Sequence, residues 1–121
     1  MYEYKAKVIK VVDGDTIDFD LQLGFHMTAR IRTRLKGIDT PEVRGKEREE
    51  GLRSKAFVIV ALNDAVEVVV RTHKTGKYGR WLADILYKTA KENPSTPEEA
   101  MDNGYINLNK LLLVKGLAKK Y

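Results

Sequence analysis

Between Tyr4 and Val12 apolar and charged side chains alternate, with Ala6, Val8 and Val11 on one face and lysines between them. That period of two is the pattern of a half-buried strand. Asp13-Gly14-Asp15 makes a turn, and alternation resumes from Thr16 to Leu23 through Ile17, Phe19, Leu21 and Leu23. Gly24 permits a second reversal. Met27 to Lys36 then forms a third strand, with Ala29, Ile31, Thr33 and Leu35 on one face and Arg30, Arg32 and Arg34 on the other. Three strands joined by short turns make a meander.

From Glu42 to Lys55 charge takes over, as in a solvated loop running into a helix. Leu52, Ala56, Ile59 and Val60 recur at helical spacing and place that helix over about Gly51–Leu62. "AVEVVVR", from Ala65, is a fourth strand, "THKTGKYGR" a basic loop, and "WLADILY", from Trp81, a fifth strand. The stretch from Lys88 to Tyr105 reads as a surface excursion. Within it, Thr96 as N-cap, Pro97 at the first helical position and Glu99 at the third predict a single helical turn. A second helix runs from Leu108 to Lys115, burying Leu108, Leu111 and Leu112, and Gly116 ends it in a left-handed cap. The order is that of an α+β chain, predominantly β: a five-stranded OB-type barrel with two main helices. At 121 residues it is expected to be one domain, 1–121.

An apolar fraction of 43% is ordinary for a globular protein. No apolar run approaches the roughly 20 residues that span a bilayer, and the N-terminus lacks the apolar stretch of a secretory signal. The chain as given therefore reads as soluble, without a membrane partner: cytoplasmic, or secreted with a leader removed. The absence of cysteine excludes disulfides and thiolate metal sites, and the isolated His26 and His73 argue against zinc. A net charge of +5 favours polyanions, but that alone does not decide between partners.

Against this basic background, acids concentrate in "VVDGDT" and "RLKGIDTPE". Asp-Gly-Asp alone is an ordinary turn. "DTPE" changes the picture, because Pro41 holds Thr40 extended and fixes its carbonyl beside Asp39. Hard cations such as Ca²⁺ take carboxylate, carbonyl and water oxygens. If the first and third strands adjoin, Asp15 and Asp39 meet, leaving the remaining coordination positions to water and a substrate oxygen. Glu42 is close enough to orient or deprotonate a water for attack on phosphorus, unless it is simply an exposed acid in a charged loop. Arg34 and Arg80 are candidate phosphate clamps, since a planar guanidinium matches two phosphate oxygens at once.

"VVDGDTI", "RLKGIDTPE", "KYGRWLA" and "LLLVKGLAKKY", in this order and from about Lys7 to the C-terminus, resemble the signature segments of the staphylococcal-type nucleases, or thermonucleases. The resemblance implies a five-stranded OB barrel acting as a Ca²⁺-dependent phosphodiesterase, an endonuclease on DNA and RNA with little sequence specificity. Water attacks in line, the 5′-oxygen leaves, and products carry a 3′-phosphate. The implied metal ligands are Asp15, Asp39 and the Thr40 carbonyl, with Asp13 in the outer shell. The implied catalytic residues are Arg34, Glu42 and Arg80, while Lys77 and Tyr78 touch a terminal phosphate. Departures from the pattern are Gly76, where an acid is common, and the long excursion. The family's third helix would fall beyond Tyr121 and is expected to be truncated; Tyr121 alone stands near the base-stacking aromatics. Single-stranded or flexible DNA and RNA are the expected substrates, with no protein partner implied. The alternative is a catalytically inactive nucleic-acid-binding OB module, against which the acids and arginines named above are all present.

Overall fold

Alternating strands that face one shared apolar interior close into a barrel, as seen in a computed structural model that describes residues 2–75, 81–90 and 96–121. Strands β1 (Tyr2–Asp13), β2 (Thr16–Gly24) and β3 (Met27–Leu35) form the expected antiparallel meander. A short β4 (Ile38–Asp39) follows, then a 3-10 turn at Gly45–Glu47 and helix α1 (Arg48–Asn63). β5 (Ala65–Thr75) pairs antiparallel with β1, and β6 (Trp81–Thr89) pairs antiparallel with β5. Parallel pairing of β3 with β6, Thr33 beside Trp81 and Leu35 beside Ala83, completes a closed five-stranded barrel. Among the described residues no helix is long and apolar enough to cross a membrane.

The interior is filled by alternate strand residues, as period-two side-chain direction requires. Ile17, Phe19, Leu35, Val70, Ala83 and Ile85 are all essentially inaccessible. The inward set in β1, Ala6, Val8 and Val11, breaks strict alternation after Val8. A bulge explains this: Val8 sits opposite Phe19, and the next paired residue is Lys10, opposite Asp18, so one residue is skipped. Burial along the β2–β3 hairpin falls towards its tip. Ile17 and Phe19 are fully buried, Leu21 nearly so, and Leu23, expected to face inward, is exposed because the hairpin projects past the barrel.

Helix α1 starts earlier than the sequence suggests and presents a different face. Gly51, Ser54, Val58 and Leu62 are buried, whereas Leu52, Ala56, Ile59 and Val60 are exposed. The first two turns lie too close to neighbouring backbone for large side chains, so the contact there is made by small residues that a hydrophobicity pattern passes over. α2 (Leu108–Val114) buries Leu108, Leu111 and Leu112 as expected. Its N-cap is Asn107, whose side chain accepts the Lys110 amide proton, and Gly116 takes the left-handed conformation at φ 72°.

The excursion after β6 holds more order than a surface loop. A 3-10 turn at Glu98–Ala100 is present, but its N-cap is Pro97 with no side-chain hydrogen bond, so Thr96 is not the cap. Beyond it β7 (Met101–Asp102) and β8 (Tyr105–Asn107) form a hairpin across Asn103-Gly104, both at positive φ, and β8 adds to the edge of β6. β9 (Lys119–Lys120) pairs with β4 in a separate two-stranded sheet.

Gly51 tests the packing of α1. A Cβ there would lie 2.1 Å from the Glu42 carbonyl oxygen. In an open helix Gly→Ala gains about 1 kcal/mol; here the backbone clash reverses the sign. Gly51→Ala is expected to lower stability by about 1–3 kcal/mol in urea unfolding, and a stabilised variant would show that helix and loop are not in contact.

Candidate active site

The β1–β2 turn and the segment after β3 meet at one end of the barrel because β2 carries both neighbours. Thr16 sits opposite Arg34 in the ladder, and the Leu35 amide donates to the Asp15 carbonyl at 2.9 Å. Gly14 lets the turn approach: a Cβ there would lie 2.9 Å from the Thr40 methyl and 3.0 Å from Ser54 Cβ. Turn, loop and α1 thus touch at a point where only glycine fits. Ser54 in turn donates its hydroxyl proton to the Leu117 carbonyl at 2.7 Å, bringing the C-terminal segment to the same place.

Arg34 is the centre of the cluster. Its Nη1 donates to Asp15 Oδ2 at 3.0 Å, and its Nη2 donates to Asp39 Oδ1 at 3.3 Å and to the Ile38 carbonyl at 3.4 Å. Asp15 is 4% exposed and accepts further protons from the Thr40 amide at 3.1 Å and the Thr16 hydroxyl at 3.1 Å. The Tyr121 ring lies over the guanidinium, 5.0 Å from its centroid, with the Tyr121 amide donating to the Gly37 carbonyl. The aromatic residue expected near the base thus rests on Arg34. The other two arginines of this strand face are tied down. Arg30 makes a two-pronged pair with Asp20, and Arg32 does so with Asp18.

The electrostatics follow. Burial alone would raise the Asp15 pKa, but the hydrogen bonds from Asp13 and the Thr40 amide, the charge of Arg34 and the Thr16 hydroxyl together hold it below the ordinary carboxylate value. Asp13 goes the other way, to about 6, chiefly through burial and then through its hydrogen bond with and repulsion from Asp15. The proton shared by this pair therefore resides on Asp13. Asp13 also accepts the Asp15 amide proton at 3.1 Å, which closes the turn. Burial works against the Arg34 charge, yet Asp15 and Asp39 outweigh it and raise its pKa.

The donors suit a hard divalent cation. Asp15 and Asp39 present carboxylate oxygens on either side of Arg34, Asp39 accepts from Arg34 through one oxygen, and Thr40 Oγ1 is buried with no partner among the described residues. Among the described residues no three His, Asp or Glu side chains gather as a metal group, so a cation here needs the backbone and solvent oxygens as well. Glu42 is exposed; its amide donates to Glu47, and among the described residues its carboxylate makes no hydrogen bond or ion pair. Lys77, Tyr78 and Arg80 lie outside the described residues. Gly14, Gly51 and Ser54 carry no chemistry that marks them in the sequence as part of the site; their signal is small size where "DGD" and "DTPE" must touch a helix.

Fold and site together define a small OB-type barrel carrying an acid–arginine centre at one end. Residues 32–121 match the model of the family described as staphylococcal nuclease homologue, and the chain belongs to that nuclease-type family. It is also 29% identical over 140 aligned residues to the uncharacterized protein MJ1439 of Methanocaldococcus jannaschii. That similarity takes in 98% of this chain but 59% of the relative's length.

The Asp13 shift sets a pH dependence in chelator-treated protein. Its folded pKa of about 6 lies above the ordinary 3.8, so between those values the folded state holds a proton that the unfolded chain has released. The cost of ionising Asp13 is absent below 3.8, grows as pH rises and is complete above about 6. Asp13→Asn keeps the acceptor for the Asp15 amide. It is expected to raise the urea midpoint at neutral pH and not below pH 3.8; an equal gain at both would show that Asp13 ionisation is not the cause.

Proposed function

We propose that the chain is a Ca²⁺-dependent phosphodiesterase that cuts DNA and RNA internally with little sequence specificity, releasing the 5′-oxygen and leaving a 3′-phosphate. The observation that carries the reading is the convergence of Asp15, from the β1–β2 turn, and Asp39, from β4, on the guanidinium of Arg34. In this reading Asp15, Asp39 and the Thr40 carbonyl hold the cation, with Asp13 behind them. A divalent cation there would polarise a phosphoryl oxygen and acidify a bound water. Glu42, exposed and unpaired among the described residues, orients or deprotonates the attacking water.

Arg34 has two tasks. It is the counter-charge that makes two facing carboxylates tolerable, and it offers paired N–H donors to a phosphodiester. The Tyr121 ring makes a cation–π contact with the guanidinium, which assigns Tyr121 as a positioning residue for this clamp. Arg80 is assigned as the second clamp. Supporting this, it immediately precedes Trp81, whose backbone pairs with Thr33, the neighbour of Arg34. Lys77 and Tyr78, close by in sequence, are assigned to a terminal phosphate. The charge that builds on phosphoryl oxygens is where such donors act most strongly.

Arg34→Ala is a poor test, because it would leave Asp15 buried without its counter-charge, at a cost of about 3–5 kcal/mol in stability. Arg34→Lys keeps the charge and removes the fork. It is expected to lower turnover on denatured DNA by about two orders of magnitude while the protein stays folded, and Arg80→Ala is expected to do the same. Near-normal turnover in either variant would take that arginine out of its role.

Metal dependence has a readout independent of cleavage. Ca²⁺ is expected to raise the melting temperature in proportion to the logarithm of its concentration above Kd, and Asp39→Asn to abolish the shift. Cleavage that persists in excess chelator would overturn the metal assignment.

A further inference from the structure

A cavity of ≈ 840 Å³ lies away from the acid–arginine centre. It opens where the barrel splays. β3 pairs with β6 only from Thr33 onward, and residues 27–32 are paired, among the described residues, with β2 alone. Tyr2, Tyr4, Leu23, Ile31, Lys36 and Trp81 line the gap, and no carboxylate does so among the described residues. Tyr2 is 70% and Trp81 38% exposed, and the Tyr2 and Tyr4 rings lie 6.5 Å apart. The volume falls in the range of sites that hold organic ligands.

A second observation lies at the tip of the same hairpin. Gly24 is paired with Met27, so Phe25 and His26 form a two-residue turn, with φ of 53° and 60°. Such turns favour Asn-Gly, because positive φ is disfavoured for residues with bulky side chains. Here the chain accepts that strain at two positions in a row and presents a phenyl ring that is 96% exposed. Phe25 stands two residues beyond Leu23, which lines the groove. Strain kept for an exposed aromatic points to a task for that ring.

We infer that the groove and the Phe25 tip form a stacking site for unpaired bases of a single-stranded polynucleotide, separate from the acid–arginine centre. Bases of any identity present a π-face to Tyr2, Trp81 and Phe25, while Lys36 supplies positive charge at the edge. The lack of acids in the lining suits a polyanion. The parallel register joins the two regions, since Trp81 sits beside Thr33 and Leu82 beside Arg34. The inference shares with the proposed function only the premise that the ligand is a polynucleotide.

Trp81 is the single tryptophan of the chain and reports directly on stacking. In chelator, an oligothymidylate of about eight nucleotides is expected to quench its fluorescence, and an abasic phosphodiester of the same length is not. Tyr2→Ala should weaken oligothymidylate binding about tenfold. Phe25→Asn carries the sharper signature. By relieving the turn it should raise the melting temperature by about 2–5 °C while weakening binding about tenfold. No quenching, equal quenching by the abasic polymer, or unchanged binding in both variants would overturn the site. So would a Trp81 signal that follows protein concentration alone, which would make a second copy of the chain the occupant. Quenching without cleavage keeps the site and removes the nuclease reading; cleavage without quenching does the reverse.

Discussion

Two carboxylates from separate segments of the chain share one guanidinium, and the functional end of the barrel is arranged around that sharing. Asp15 is nearly inaccessible, and an isolated buried carboxylate would protonate or force the loops apart. Arg34, with a side chain 17% exposed, prevents both by donating to Asp15 and Asp39 at once. The neighbouring pairs, Arg30 with Asp20 and Arg32 with Asp18, have similar geometry, but their arginines face water, which screens them. The same residue pairing thus does two different things along one hairpin. Towards the tip it lies in water, and at the base it makes an acidic centre compatible with folding.

The centre is held in place by residues that have almost no side chain. Gly51 allows a backbone contact that a methyl group would forbid, Gly14 allows close approach of the Thr40 and Ser54 side chains, and Ser54 ties down the segment after α2. Helix α1 therefore acts at its N-terminal half as a spacer, while Val58 and Leu62 seal the barrel. That division explains why its buried face was misread. Apolar residues at helical spacing mark a face that buries large side chains, and a face chosen for close approach carries the opposite signal. Leu52, Ile59 and Val60 have the spacing without the burial.

The strands were legible because alternation and burial report the same physical fact. Even the irregular inward set of β1 was visible in the sequence, although its cause, a bulge after Val8, appears only in the ladder. Leu23 was misplaced because alternation says which face a residue takes and not where the barrel ends. Asn103-Gly104 carried a readable turn signal, but the strands on either side are two and three residues long, too short to show a period. Of the site, Asp15, Arg34, Asp39 and Thr40 do come together. The turn chemistry of "DGD" and "DTPE" names the residues; only the β2–β3 register, with Thr16 opposite Arg34, explains why they meet.

One hairpin carries both features that set this barrel apart. At its base are Asp15 and Arg34, and at its tip are two bulky residues in a conformation that glycine would fill more comfortably. At about 3.3 Å per residue the tip stands roughly 25–30 Å from Arg34. The antiparallel β2–β3 ladder runs between them, so a ligand engaged at both places must be long and must follow the strand direction. A polynucleotide meets that demand through its repeating backbone, whereas a small phosphoester reaches only the base of the hairpin. In the proposed reading the arm therefore distinguishes substrates by length and by the presence of unpaired bases, while the acid–arginine centre distinguishes them only by the phosphodiester it must hold.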